Sequence, residues 1–144
     1  LTPQDLGAMA TYLKALPATQ APLPDPGPPL GEQVLAQGRR IYETRCADCH
    51  GLDGKGWAPA YPPLAGNRAV TMTPAVNAIR MTVNGGFPPS TTGNPRPYGM
   101  PPFGHELDDA EVAAVLTWIR NNWGNAAPPV SAVDVNRYRA VPLD

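Results

Sequence analysis

Five consecutive residues, Cys46-Ala47-Asp48-Cys49-His50, hold both cysteines of the 144-residue chain and one of its two histidines. Thiols this close in sequence cannot staple distant segments together, so their chemistry is local. The C-x-x-C-H spacing is that of c-type haem attachment: the thiols add to the vinyl groups, and the adjoining imidazole is carried under the porphyrin to bind iron from the proximal side. A redox disulfide would want a βαβ context, which is absent. A zinc site would want a second cysteine pair, and only His105 is in reserve.

An electron-transfer haem of low spin needs a sixth ligand, and a methionine thioether favours Fe(II) and raises the potential. The chain offers Met9, Met72, Met81 and Met100. Met9 falls in the apolar stripe of a predicted helix, Met81 inside another and Met72 just before it, where core packing is the default role. Met100 stands in Tyr98-Gly99-Met100-Pro101-Pro102-Phe103, a segment that cannot be helical and can present a side chain rigidly to a flat cofactor. His50 and Met100 are therefore the expected iron ligands, with one haem c per chain. His105 offers bis-histidine ligation as an alternative but reads as a surface residue. Arg80 could donate to a propionate or sit on a solvated helix face. Tyr98 and Trp57 could border the haem or simply cover apolar surface. The stretch from Pro88 to Gly99 is long for a ligand loop and reads as a surface excursion or a docking lip.

Helices must position these groups. Residues 1–17 read as a helix with Thr2 as cap, Pro3 in the first turn and Leu6, Met9, Ala10 and Leu13 in its stripe. Prolines at 22, 24, 26, 28 and 29 make 18–30 an extended linker. A second helix spans about Gly31 to Arg45, with Gly38 at its centre; glycine there costs roughly 1 kcal/mol relative to alanine, which implies a close helix crossing. A third runs from Pro74 to about Asn84, capped by Thr73 and stopped by Gly85-Gly86. The fourth is capped by Asp108 with Glu111 three residues on, buries Val112, Val115, Leu116 and Ile119, and ends near Gly124. No stretch alternates like a strand, so the fold is expected to be all-α with long proline-rich loops; 20 prolines and 14 glycines support this. Leu1 to Lys14 also aligns without gaps on Leu107 to Arg120, placing Thr11 over Thr117, Tyr12 over Trp118 and Leu13 over Ile119. The net charge of −1 excludes the basic excess of a nucleic-acid binder, and no apolar run is long enough to span a membrane.

The chain resembles the class I cytochromes c over residues 31–124, on Gly38 and Tyr42 before C-x-x-C-H, Pro62-Pro63-Leu64-Ala65-Gly66, Met100-Pro101 and Trp118. The resemblance implies a crossing of the first and last domain helices at Gly38 and Trp118. It also implies a hydrogen bond from His50 Nδ1 to the carbonyl of Pro62 or Pro63, with Pro63 taken as the site residue. More finely, PPLAGN, AIRMTVNGG, YGMPPFG and Trp123-Gly124-Asn125 resemble the haem domains of triheme cytochrome subunits of membrane-associated periplasmic dehydrogenases acting on alcohols or sugar acids. This implies that 31–124 is the last such domain, 1–17 the closing helix of a preceding one and 125–144 a tail. The start at Leu1 suggests a piece of a longer precursor. The implied function is one-electron relay from a dehydrogenase or adjacent haem domain to a quinone, cytochrome or oxidase, without catalysis by this chain. The implied location is the periplasm, with peripheral membrane association through a parent complex. The rival is a haem enzyme or ligand sensor with an open distal site, peroxidase-like.

If Cys46 and Cys49 form thioethers, the intact mass will exceed that of the bare polypeptide by one haem, and the haem will stay with the protein in acid-acetone. Release of the cofactor on extraction would show that the attachment is not covalent.

Overall fold

Gly38 sits mid-helix, and what fills the space of its missing side chain organises the fold. In the computed structural model, which describes residues 1–17 and 30–139, the helices are α1 (Pro3–Ala15), α2 (Glu32–Arg45), α3 (Ala47–His50), α4 (Arg68–Thr71), α5 (Val76–Asn84), α6 (Asp109–Ile119) and α7 (Ala132–Arg139). Among the described residues there is no strand, only isolated bridges pairing Trp57 with Tyr61, Gly86 with Met100 and Thr91 with Asn94. The all-α expectation holds. No helix among the described residues is long and apolar enough to cross a membrane.

The α2–α6 crossing is the most extensive helix contact. A Cβ on Gly38 would overlap the Ala114 carbonyl oxygen and lie 2.8 Å from Trp118 Cβ, so the two backbones touch there. Tyr42, one turn further along α2, is fully buried and packs its ring 4.8 Å from that of Trp118 and 5.0 Å from that of Trp123. Around this crossing the core gathers Ile79 and Val83 from α5, Phe103 and Leu107 from the approach to α6, and Val112, Val115, Leu116 and Ile119 from α6 itself.

Asp108 and Glu111 form the expected reciprocal cap at the start of α6. The helix is buried on more than one stripe, because Ala113, Ala114 and Thr117 are covered as well. Ala114 is covered by α2 at Gly38, and further cover comes from α7 and the chain leading into it, a stretch that the sequence reading leaves as a tail. Ser131 caps α7 through Asp134 N–H, and Val130 and Val135 enter the core against α6. Thr117 Oγ1 accepts from Val130 N–H at 2.9 Å, tying the incoming chain to α6. The third predicted helix starts two residues later than expected. Val76 opens it after Ala75, so Thr73 lies too early to cap it, and Gly85, at φ +65°, ends it as anticipated.

α1 has the predicted Thr2–Asp5 capping box, but none of its residues is buried: Leu6, Met9, Leu13 and Leu16 all face solvent. The proline linker falls on residues 18–29, outside the described residues, save for Leu30.

Gly38→Ala will destabilise the protein by about 1–3 kcal/mol, as overpacking does. The gain in helix propensity, about 1 kcal/mol, opposes this, but the atom in the way is a backbone oxygen that cannot rotate aside. Equilibrium denaturant unfolding of the haem-loaded protein measures the difference, and an unchanged midpoint would mean that the helices separate without cost.

Candidate functional site

The cysteine-histidine pentapeptide follows directly from α2, because Cys46 N–H continues the helix by donating to Tyr42 O at 2.9 Å. Cys46 then starts α3, a single turn in which Cys49 and His50 N–H donate back to its carbonyl at 3.2 and 2.9 Å. Residues three and four apart in a helical turn share a face, so the turn groups Cys46, Cys49 and His50. Both cysteines are free and half-buried. Burial, with a smaller contribution from the neighbouring Cys49, pushes the Cys46 thiol up to about 12. No cluster of three or more His, Cys, Asp or Glu side chains that could hold a metal ion occurs among the described residues.

His50 Nδ1 lies 3.0 Å from the carbonyl oxygen of Pro62. A carbonyl only accepts, so Nδ1 carries the proton and Nε2 keeps its lone pair for a metal. Burial lowers the His50 pKa against the opposing effect of this hydrogen bond, favouring the neutral ring. The partner is Pro62, which corrects the assignment to Pro63: the Pro63 carbonyl instead accepts from Asn67 Nδ2 at 2.8 Å. Successive carbonyls of an extended chain point opposite ways, and long-range bonds set which one faces the histidine. Trp57 and Tyr61 exchange backbone bonds at 2.9 and 2.8 Å, and Leu64 and Ala65 N–H both donate to Gly54 O, at 2.7 and 3.0 Å. Gly56, at φ +64°, permits this approach, since a Cβ there would overlap Tyr61 O and sit 2.7 Å from Pro62 O.

Met100 is half-buried against the core edge. Its N–H donates to Gly86 O at 2.8 Å and its carbonyl accepts from Gly86 N–H at 3.0 Å. Phe103 and Gly104 N–H then bond to Thr82 and Val83 carbonyls of α5, both at 3.0 Å. Met72 and Met81 are not core residues as expected, each being 46 % exposed; Met81 projects from α5 away from the buried Ile79, Thr82 and Val83.

Arg80 is half-buried on α5, while Trp57 and Tyr98 are 66 % and 62 % exposed. Tyr98 packs on Tyr61, ring centroids 5.4 Å apart, which joins the loop before Met100 to the loop that carries Pro62. His105 is exposed in the turn before α6.

Two polar residues that the sequence reading did not single out hold this arrangement, and a third stands beside it. Asn125 donates from Nδ2 to Leu64 O and Ile119 O and accepts from Gly66 N–H, clasping the Pro62 loop to the end of α6. Arg120, 1 % exposed, donates to the carbonyls of Val70, Met72 and Pro128, and burial lowers its pKa. Asn84, beside Gly85, keeps a buried Nδ2 without a hydrogen-bond partner. Asn125 and Asn84 fall within the Trp123-Gly124-Asn125 and AIRMTVNGG motifs, and Arg120 closes the repeat that begins at Leu107. The residues present fit a covalent haem: free thiols on one turn, an imidazole with its lone pair available, a thioether on a segment pinned by its backbone and an unsatisfied buried amide donor.

Residues 35–123 match the family model for cytochrome c. The chain is 37 % identical over 148 residues to the cytochrome c subunit of the quinone alcohol dehydrogenase of Gluconobacter oxydans (strain 621H), covering 94 % of this chain and 30 % of the relative. It is 33 % identical over 157 residues to the gluconate 2-dehydrogenase cytochrome c subunit of Pantoea cypripedii, covering 96 % and 34 %. It is 33 % identical over 124 residues to a cytochrome c-552 of Thermus thermophilus, covering 79 % and 83 %. The chain thus spans about a third of the dehydrogenase subunits that it matches.

Proposed function

The chain belongs to the cytochrome c family, and on that premise we propose that it relays single electrons with His50 and Met100 as axial ligands and Cys46 and Cys49 as thioether anchors. Haem c, when bound, supplies a one-electron Fe(III)/Fe(II) couple. The chain is an electron-transfer module and not the catalytic part of a dehydrogenase.

The observation that carries the ligand assignment is that both donors are set by backbone. His50 is oriented by Pro62 O, and Met100 is pinned at its own N–H and carbonyl by Gly86. Ligands fixed this way need little reorganisation when the iron changes charge, which suits transfer and disfavours the rival open-site enzyme. Pro101 and Pro102 stiffen the segment beyond Met100. In this reading Arg80 and Asn84 would donate to the group, and Tyr98 and Trp57 would border its edge.

The partners in this reading are a periplasmic dehydrogenase or adjacent haem domains on the donor side and a quinone, cytochrome or oxidase on the acceptor side. The relatives named as dehydrogenase subunits support this, and their greater length leaves room for further haem domains. Association with the periplasmic face of a membrane would come through the parent complex. In the same reading α1 closes a preceding domain of this kind. Its match to α6, the shared capping box and its bare apolar face support that role.

Met100→Ala will abolish the long-wavelength sulfur-to-iron band, lower the potential and open the iron to exogenous ligands, while Met72→Ala and Met81→Ala leave the band intact. A silent Met100→Ala beside a spectrally altered His105→Ala would instead identify bis-histidine ligation.

A chain beginning at Gly31 will bind haem with unchanged spectrum and similar potential, because α1 contributes no buried residue to the core. Lost haem incorporation or a large fall in melting temperature would assign α1 to this domain.

A further inference from the structure

The segment bearing Met100 is held unevenly. On its N-terminal side runs the largely exposed stretch 87–98. On its C-terminal side Pro101 and Pro102 have no N–H to offer, so the next backbone anchors are Phe103 and Gly104. These two begin a turn that Glu106 and Leu107 close by donating to Phe103 O at 3.0 and 2.9 Å. The turn precedes the first residue of α6, so the carbonyls of Gly104 and Leu107 have no helical donor.

Arg139, in the last turn of α7, supplies the missing donors. Its Nη1 bonds Gly104 O at 2.6 Å, its Nη2 bonds Leu107 O at 3.0 Å, and its Nε pairs with Asp109 Oδ1 at 2.6 Å. Asn136, one turn earlier, holds the other Asp109 oxygen at 2.8 Å. The pair is about three-quarters shielded from solvent, with side chains 26 % and 25 % exposed. A planar guanidinium with all three nitrogens engaged fixes direction as well as distance, which an ammonium cannot do.

We propose that Arg139 is a positioning residue for Met100: by gripping the turn that follows the ligand, it resists withdrawal of the thioether from the iron. The proposal rests on the reading of Met100 as axial ligand. Three residues separate Met100 from Gly104, whose carbonyl is gripped, and two of them are prolines, so displacement of the turn passes to Met100 with little slack. Asp109 keeps the guanidinium in register and touches neither carbonyl.

The test uses the full haem-loaded chain with imidazole as the competing ligand, read as bleaching of the sulfur-to-iron band, alongside potential and thermal melting. Arg139→Ala is expected to bind imidazole about tenfold more tightly than the parent, the scale on which removal of a ligand's supporting contact acts. Arg139→Lys should fall between the two, and Asp109→Asn, which keeps an oxygen for Nε, should stay near the parent. If Arg139→Ala fails to take up haem, Arg139→Lys decides: tighter imidazole binding supports the role and parental binding refutes it. An Arg139→Ala protein that melts lower but keeps parental imidazole affinity and potential overturns the proposal, because Arg139 then serves the fold alone. An effect of Asp109→Asn as large as that of Arg139→Ala also overturns it. A parent protein that lacks the band removes the Met100 reading and this proposal together, a result distinct from a band that Arg139 does not influence.

Discussion

The backbone contact between α2 and α6 at Gly38 and Ala114 is the constraint on which the rest of the structure depends. Two helices that meet without an intervening side chain are fixed in separation and crossing point, and both ends of the crossing are put to use. Past Gly38, α2 delivers the buried Tyr42, whose hydroxyl donates to Gly51 O at 2.6 Å, and then runs without interruption into Cys46 and the turn that ends at His50. Past Ala114, α6 delivers Trp118, Arg120 and, just beyond the helix, Asn125. The position of the thiols is therefore the position of the helix crossing carried a few residues along each helix.

Between the helices lie two long loops in which proline has removed many backbone donors, and the structure meets this shortage with side chains. Arg120 serves the carbonyls of Val70, Met72 and Pro128, Asn125 those of Leu64 and Ile119, and Arg139 those of Gly104 and Leu107. An unsatisfied buried carbonyl costs about 1–3 kcal/mol, so each of these residues replaces a stretch of secondary structure that the loop cannot form. The gain is rigidity in the segments around Pro62 and Met100. A proline-rich loop has few conformations to lose, and a few well-placed donors are enough to fix it. The chain thus carries His50 on a helical turn and Met100 on a tethered extended strip.

The chemistry was legible at once, because C-x-x-C-H is a local pattern whose meaning depends on spacing within one turn. Gly38, the cap at Asp108 and Glu111 and the stop at Gly85 were legible for the same reason: helix periodicity, capping and the left-handed conformation act over a few residues. Three features were not. The choice of Pro62 over Pro63 depends on bonds from Leu64 and Ala65 back to Gly54 and on the Trp57–Tyr61 pairing, and a shift of one residue would reverse it. The exposure of Met72 and Met81 depends on which faces of the chain the core leaves uncovered. Helix α7 is short and polar, and its stabilising partner Asp109 lies 30 residues from Arg139.

The sequence by itself determined the haem-attachment motif and the helices that flank it, since thiol spacing, caps, glycine stops and apolar periodicity are properties of neighbouring residues. Only the tertiary structure decided which carbonyl orients His50, which side chains stand in for the donors that proline removes, and how the turn after Met100 is closed. Each of these is a contact between segments far apart in the chain, and its geometry exists only once the α2–α6 crossing has brought those segments together.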